Sequence, residues 1–225
     1  MKLGLCQMPV TASKTENFAT MRRYVRDAAA AGCDLVVLPE MWCCPYSNAA
    51  FAQYAEPQGG ETWRLLCGTA REYGVWLVAG SVPERYTLVD TPFGKLGVAI
   101  CFDVRFAELF RILALEGARL IVVPAAFNMT TGPAHWELLF RARALDNQCF
   151  VAGCAPARDE TAGYVSYAHS LVCDPWGRVQ AQAEAAPQLL ICDMDLAETD
   201  AVRAQIPVLR ARRTDLYQLK YEKDS

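Results

Sequence analysis

The sequence predicts a single α/β domain, and three observations carry that reading. Short apolar runs alternate with amphipathic stretches along most of the chain. The 225 residues are 53% hydrophobic and 21% charged, which is enough to build one sizeable core. No linker, internal repeat or low-complexity segment divides them. Helices separated by apolar strands bury both partners when the sheet is covered by the helices.

The first strand is expected at 3–7, an apolar run soon broken by Pro9 and too short for a signal peptide. A helix follows at 16–31, where Phe18, Met21, Tyr24, Val25 and Ala28 recur at three- and four-residue spacing and form one buried face. Further strands are expected at 35–38, 75–79, 96–100, 120–123 and 149–153, each a short run of apolar residues. Helices are expected between them at 61–73, 105–116 and 133–147. The later chain reads as a hairpin, 165–173 and 178–183, turning through Asp174-Pro-Trp-Gly177, with another strand at 188–193. The tail at 206–217 mixes apolar and basic residues without a period. Such an extension either wraps its own domain or packs across a partner subunit.

Composition excludes several classes of function. A net charge of −3 offers no basic patch of the kind phosphate backbones require, so no nucleic-acid partner is expected. No apolar run has the length of a membrane span, and no membrane association is expected. Cys6, Cys149, Cys173 and Cys192 fall in strand-like runs, and Cys33 and Cys67 in or beside helical ones. The ten cysteines therefore read as small buried hydrophobes of a reducing, cytoplasmic compartment rather than as a disulfide scaffold. Cys43-Cys44 has no second pair at zinc-ligand spacing and only His135 and His169 to help it. No metal or cofactor is expected. The adjacent pair also lacks the Cys-x-x-Cys spacing of a thiol redox protein.

Two residues carry chemistry. In Leu96-Gly-Val-Ala-Ile-Cys101 an apolar strand runs into a cysteine with a helix just beyond, where free N–H groups and the helix dipole are expected to favour thiolate. In Leu35-Val-Val-Leu-Pro-Glu40 a second strand ends on an acid. Glu40 is either a carboxylate solvated in a loop or a base held in a cleft. Both fall where α/β sheets gather their sites, at the carboxyl ends of parallel strands. Such a pair suits acyl transfer through a thioester.

At these residues the chain resembles the nitrilase, or carbon–nitrogen hydrolase, superfamily. Leu-Pro-Glu40 is similar to its glutamate motif, and Asp90-Thr-Pro-Phe-Gly-Lys-Leu-Gly-Val-Ala-Ile-Cys101-Phe-Asp-Val-Arg-Phe to its nucleophile motif. Phe127-Asn-Met-Thr-Thr-Gly-Pro-Ala-His-Trp-Glu-Leu-Leu139 and Arg141-Ala-Arg-Ala-Leu-Asp-Asn147 resemble the omega-amidase branch. So do Pro156-Ala-Arg-Asp159, Asp174-Pro-Trp-Gly177 and Gln205-Ile-Pro-Val-Leu-Arg210. The resemblance implies an α-β-β-α sandwich, commonly a homodimer. It also implies a Glu–Lys–Cys triad that hydrolyses the terminal amide of small dicarboxylic monoamides such as 2-oxoglutaramate and 2-oxosuccinamate. Carried over by position, Cys101 is the nucleophile and Glu40 the general base. The backbone N–H of Phe102 is a candidate donor to the oxyanion.

The chain departs from that pattern at the lysine. Gly80-Ser-Val-Pro-Glu-Arg85 is followed at once by Tyr86, and several tens of residues of the family pattern are absent at this 85/86 seam. Lys95 is the lysine between Glu40 and Cys101, but an extended strand places it about 20 Å from Cys101, in the turn after Thr91-Pro-Phe-Gly94. Lys2, Lys14, Lys220 and Lys223 have no sequence argument for reaching the site, and the family lysine stays unassigned. Either the molecule lacks the segment or a mobile loop over the site's mouth lies outside this sequence. In the first case a nitrilase-like protein that binds without turnover is the alternative.

On the substrate side, Tyr46 either borders the pocket or is an exposed loop aromatic. Phe127, Asn128, Met129 and Thr130 leave a strand and precede a helix. Thr130 or Thr131 is its expected cap, and free N–H groups there suit a substrate carboxylate if the turn is more than a cap. Arg105 meets a substrate carboxylate or pairs with Glu108. Arg141, Arg143 and Asp146 read as an internal charge network, and His135 and His169 as structural histidines.

Overall fold

The computed structural model describes residues 1–80 and 87–220. Its first half builds a four-stranded sheet from β1 (Lys2–Gln7), β2 (Leu35–Val37) and β3 (Trp76–Val78), all parallel, with β10 (Gln188–Asp193) antiparallel to β1. Its second half builds a six-stranded sheet in sequence order from β4 (Thr87–Thr91), β5 (Gly94–Val98), β6 (Ala118–Pro124), β7 (Phe150–Cys154), β8 (Leu171–Cys173) and β9 (Val179–Gln182). The central strands β5, β6 and β7 run parallel.

Strand periodicity sorts the side chains into layers. Leu3, Leu5, Leu35 and Val37 of one sheet meet Leu96, Leu120, Val122 and Phe150 of the other in a shared core. The alternate residues point outward, as a period of two requires. Val36 and Cys6 pack against Met21, Tyr24 and Val25 of α1 (Lys14–Ala30), with Leu65 and Leu66 of α3 (Glu61–Tyr73). Ile121 and Val123 pack against Phe110 and Leu113 of α4 (Ala107–Leu115) and Trp136 and Phe140 of α5 (Gly132–Asn147). The result is the α-β-β-α sandwich that the family resemblance implied.

Most expected elements are present, within one to three residues at their ends. Three differences matter. The strand expected at 96–100 ends at Val98, and the helix expected at 105–116 is preceded by a separate 3₁₀ turn, Cys101–Arg105. Lys95 pairs with Asp90 within the β4–β5 hairpin instead of sitting in its turn. The first arm of the hairpin expected at 165–173 is strand only over Leu171–Cys173, because 165–170 cross toward the site. Two helices were not anticipated. These are α2 (Asn48–Tyr54), which Ser47 caps by accepting from the Ala50 N–H at 3.3 Å, and α6 (Glu198–Gln205).

The 85/86 seam lies outside the described residues. On either side of it, β3 is the edge of the four-stranded sheet and β4 the edge of the six-stranded sheet.

Candidate active site

Three parallel strands deliver the site from their carboxyl ends. β2 leads into Glu40, β5 into Cys101, and β6 into Ala126 and Phe127. The peptide of Ala126 stands between the first two groups. Its N–H donates to Glu40 Oε2 at 3.1 Å, and its carbonyl accepts from Cys101 Sγ at 3.9 Å. The Glu40 and Cys101 side chains thus face one peptide from its two ends and are electrostatically coupled. Glu40 is therefore no solvated loop carboxylate, being 8% exposed.

Both loops are held in backbone conformations that L side chains rarely adopt. Cys101 has φ 43° and Met41, just after Glu40, has φ 53°. Such residues cost about 1–3 kcal/mol each and persist where surrounding packing dictates them. Around Cys101 that packing is visible. Asp103 Oδ2 accepts from the Ile100 N–H at 2.8 Å, and buried Arg143 donates to the carbonyls of Val104 and Arg105 at 2.8 and 3.0 Å. Behind Glu40 stands Gly80, where a Cβ would lie 2.7 Å from Glu40 Cα and 2.9 Å from Pro124 Cβ. Gly80→Ala is accordingly expected to lower stability by about 1–3 kcal/mol. It should also displace Glu40, so that thermal denaturation and amide turnover both register the change.

The electrostatics correct the expectation of a resting thiolate. Burial and the neighbouring Glu40 charge push the Cys101 thiol up to about 12, against a smaller opposing effect of Tyr46 and the Ala126 backbone. Burial also raises Glu40, opposed by its interaction with Cys101 and by the Ala126 N–H. The single 3₁₀ turn at Cys101 offers little of the dipole that a full helix would supply. At rest the site holds a thiol beside a buried Glu40.

The carbon-nitrogen hydrolase profile matches residues 2–87 and 82–204. The chain belongs to the carbon-nitrogen hydrolase family. Omega-amidase NIT2-A of Xenopus laevis is 39% identical over 272 aligned positions, covering 99% of this chain and 99% of that protein. Omega-amidase NIT2 of Homo sapiens is 36% identical, covering 99% and 98%. The crystal structure of Saccharomyces cerevisiae Nit3, a member of branch 10 of the nitrilase superfamily, superposes with a TM-score of 0.89 at 31% identity. That alignment covers 95% of this chain and 96% of Nit3. An alignment of 272 positions against a chain of 225 residues leaves several tens of the relative's positions facing a gap.

In this carbon-nitrogen hydrolase no lysine among the described residues contributes to the charge around Cys101 or Glu40. Lys2 donates to the Ala31 carbonyl, Lys14 pairs with Glu56, and Lys95 lies at the opposite end of β5, near Gly117. Lys223 lies outside the described residues.

The substrate-side residues divide. Tyr46 is half-buried, stacked on Tyr164 and electrostatically coupled to Cys101. Phe102 exposes its ring at 62%, while its N–H opens the 3₁₀ turn, where helical turns leave amides without internal acceptors. Arg105 does not pair with Glu108. Its guanidinium lies 4.9 Å from the Phe127 ring centroid and 5.2 Å from that of Phe102, with Nη1 3.2 Å from His135 Nδ1. Phe127 is buried against Trp136, so its ring serves as a wall beneath Arg105. The N–H groups expected to be free are engaged, since Asn128 Oδ1 accepts from Thr130 and Thr131 at 3.0 and 2.9 Å. Asn128 thus closes a turn ahead of α5, Thr131 stands at the N-cap as expected but without a side-chain cap hydrogen bond, and Met129 and Thr130 are exposed on that turn. Tyr164 was missed. It sits on an aperiodic loop, and its hydroxyl donates to the Ala126 carbonyl at 2.6 Å.

Proposed function

We infer that this protein is an omega-amidase that hydrolyses small dicarboxylic monoamides such as 2-oxoglutaramate to the 2-oxo acid and ammonia. The observation that carries the reading is the meeting of Glu40 and Cys101 across one peptide, in a chain that aligns end to end with omega-amidases. That meeting favours turnover over binding alone.

Glu40 takes the Cys101 proton as sulfur attacks the amide carbon. The tetrahedral oxyanion accepts from the Phe102 N–H. Collapse breaks the carbon–nitrogen bond, and Glu40 returns the proton so that ammonia leaves neutral. Water then gives a proton to Glu40 and attacks the thioester. Collapse releases the acid and restores the thiol. Arg105, backed by Phe127 and Phe102, is the cation placed for the substrate's carboxylate. Tyr46 closes the pocket on the other side of the thiol.

Two further readings belong to this proposal. A homodimer is supported by Leu138 and Leu145, exposed at 67% and 53% and seven residues apart on α5. A cytoplasmic location is supported by ten cysteines that are all free thiols. No helix among the described residues is long and apolar enough to cross a membrane.

The test is ammonia release from 2-oxoglutaramate by the 225-residue chain. The expected result is equimolar ammonia and 2-oxoglutarate. No release from this or any other small amide by folded protein would turn the reading toward a binding protein.

A further inference from the structure

The loop after Glu40 carries a group with no assigned chemical role. Tyr46 precedes the Ser47 cap of α2, and its ring meets Phe51 edge-on with centroids 5.4 Å apart. A residue before the cap packed on one in the first turn fixes the angle at which the chain enters a helix. The opposite side of the ring stacks on Tyr164, with centroids 4.3 Å apart and planes 26° from parallel. Two contacts from separate parts of the chain thus clamp one phenol. Tyr164 reaches the same Ala126 carbonyl that Cys101 Sγ faces, so the stack holds the Tyr46 phenol beside that sulfur, to which it is electrostatically coupled.

The two stacked hydroxyls have different employment. Tyr164 donates to the Ala126 carbonyl and so supports the peptide that holds Glu40. Tyr46 lies beside the sulfur. Burial and the nearby charges of Glu40 and Cys101 raise the Tyr46 phenol well above its ordinary range, so it keeps its proton while the thiol loses one. No lysine among the described residues supplies positive charge at this point.

We propose that Tyr46 is a catalytic residue whose clamped hydroxyl donates to the Cys101 sulfur as negative charge develops there, a charge-stabilising task for which no described lysine is placed. The proposal deepens the amidase reading and rests on it for the turnover part only. Tyr46 transfers no proton. It supplies a hydrogen bond that strengthens when the thiol proton passes to Glu40, and hydrogen bonds to charged sulfur outweigh those to a neutral thiol.

The test compares wild type with Tyr46→Phe, which keeps the stacked ring and removes the donor. Iodoacetamide labelling of Cys101, followed on its own peptide because ten cysteines are present, needs no amide substrate. Its second-order rate constant at pH 8 is expected to fall about tenfold. On 2-oxoglutaramate, kcat is expected to fall about 100-fold with KM nearly unchanged. Labelling at the wild-type rate would overturn the proposal whatever the amide result. So would a rise in KM at constant kcat, which marks a pocket wall. Slowed labelling with no turnover in wild type would uphold the sulfur contact and remove the amidase reading instead. Should Tyr46→Phe not fold, 3-fluorotyrosine at this position strengthens the donor without changing its shape. Faster labelling is then expected, and an unchanged rate would overturn the proposal.

Discussion

Cys101→Ala is expected to abolish ammonia release from 2-oxoglutaramate, with a fall of at least about 1,000-fold in kcat. The sulfur is the one nucleophile that the described strand ends place beside Glu40. Without it, neither the Ala126 peptide nor the Phe102 amide has a covalent intermediate to serve. The fold should survive. Alanine removes a single half-buried sulfur, whose hydrogen bond is a long contact with Ala126 at 3.9 Å. Thermal denaturation is therefore expected near that of wild type. Retained turnover by folded Cys101→Ala would remove the nucleophile assignment.

Glu40→Gln is expected to lower kcat by about 100- to 10,000-fold, because the amide keeps the shape and loses the base. It carries a second, opposite expectation for stability. Burial raises Glu40 above the ordinary glutamate value of 4.5, so the folded state holds the proton more tightly than the unfolded chain. The stability this confers is fully present below the unfolded value and is lost as pH rises through the folded one. Relative to wild type, Glu40→Gln should therefore gain thermal stability as pH rises from 4.5 toward neutrality, and the difference should vanish in acid. The same raised value places the acid limb of wild-type kcat/KM above 4.5, since the carboxylate form is the base. A scan of melting temperature and of kcat/KM against pH checks both signs. A Gln variant that is destabilised at neutral pH, with no such trend, would contradict the buried, raised carboxylate.

The α/β class was legible because a helix advertises one apolar face, as Met21, Tyr24, Val25 and Ala28 do in α1, whereas the two-sheet sandwich was implied by the family resemblance. Which strand residues face the other sheet was not legible. Leu35, Val36, Val37 and Leu38 are all apolar because both faces of a parallel sheet are covered, and the alternation that would reveal a side is erased. Glu40 and Cys101 could be found because an ionisable or nucleophilic group directly after an apolar run is conspicuous. Their partners could not. Tyr164 lies on a loop without periodicity, and the Gly80 contact with Glu40 joins segments forty residues apart that only the folded sheet brings together. The Asn128 turn carried a usable signal, an asparagine two and three residues before the amides it accepts from. The expected thiolate failed for a different reason. A helix start was expected just beyond Cys101 where only a 3₁₀ turn follows it, and the burial and the acid that raise the thiol arise from packing.

The central claim is that this pair cleaves amides through a thioester on Cys101, and an intact-mass measurement on enzyme quenched in acid during turnover of 2-oxoglutaramate tests it most directly. The account predicts a fraction of the protein heavier by the acyl group, with the added mass on the peptide that contains Cys101 and absent in Cys101→Ala. Steady ammonia release with the acyl group on another residue, or turnover that survives in Cys101→Ala, would contradict it.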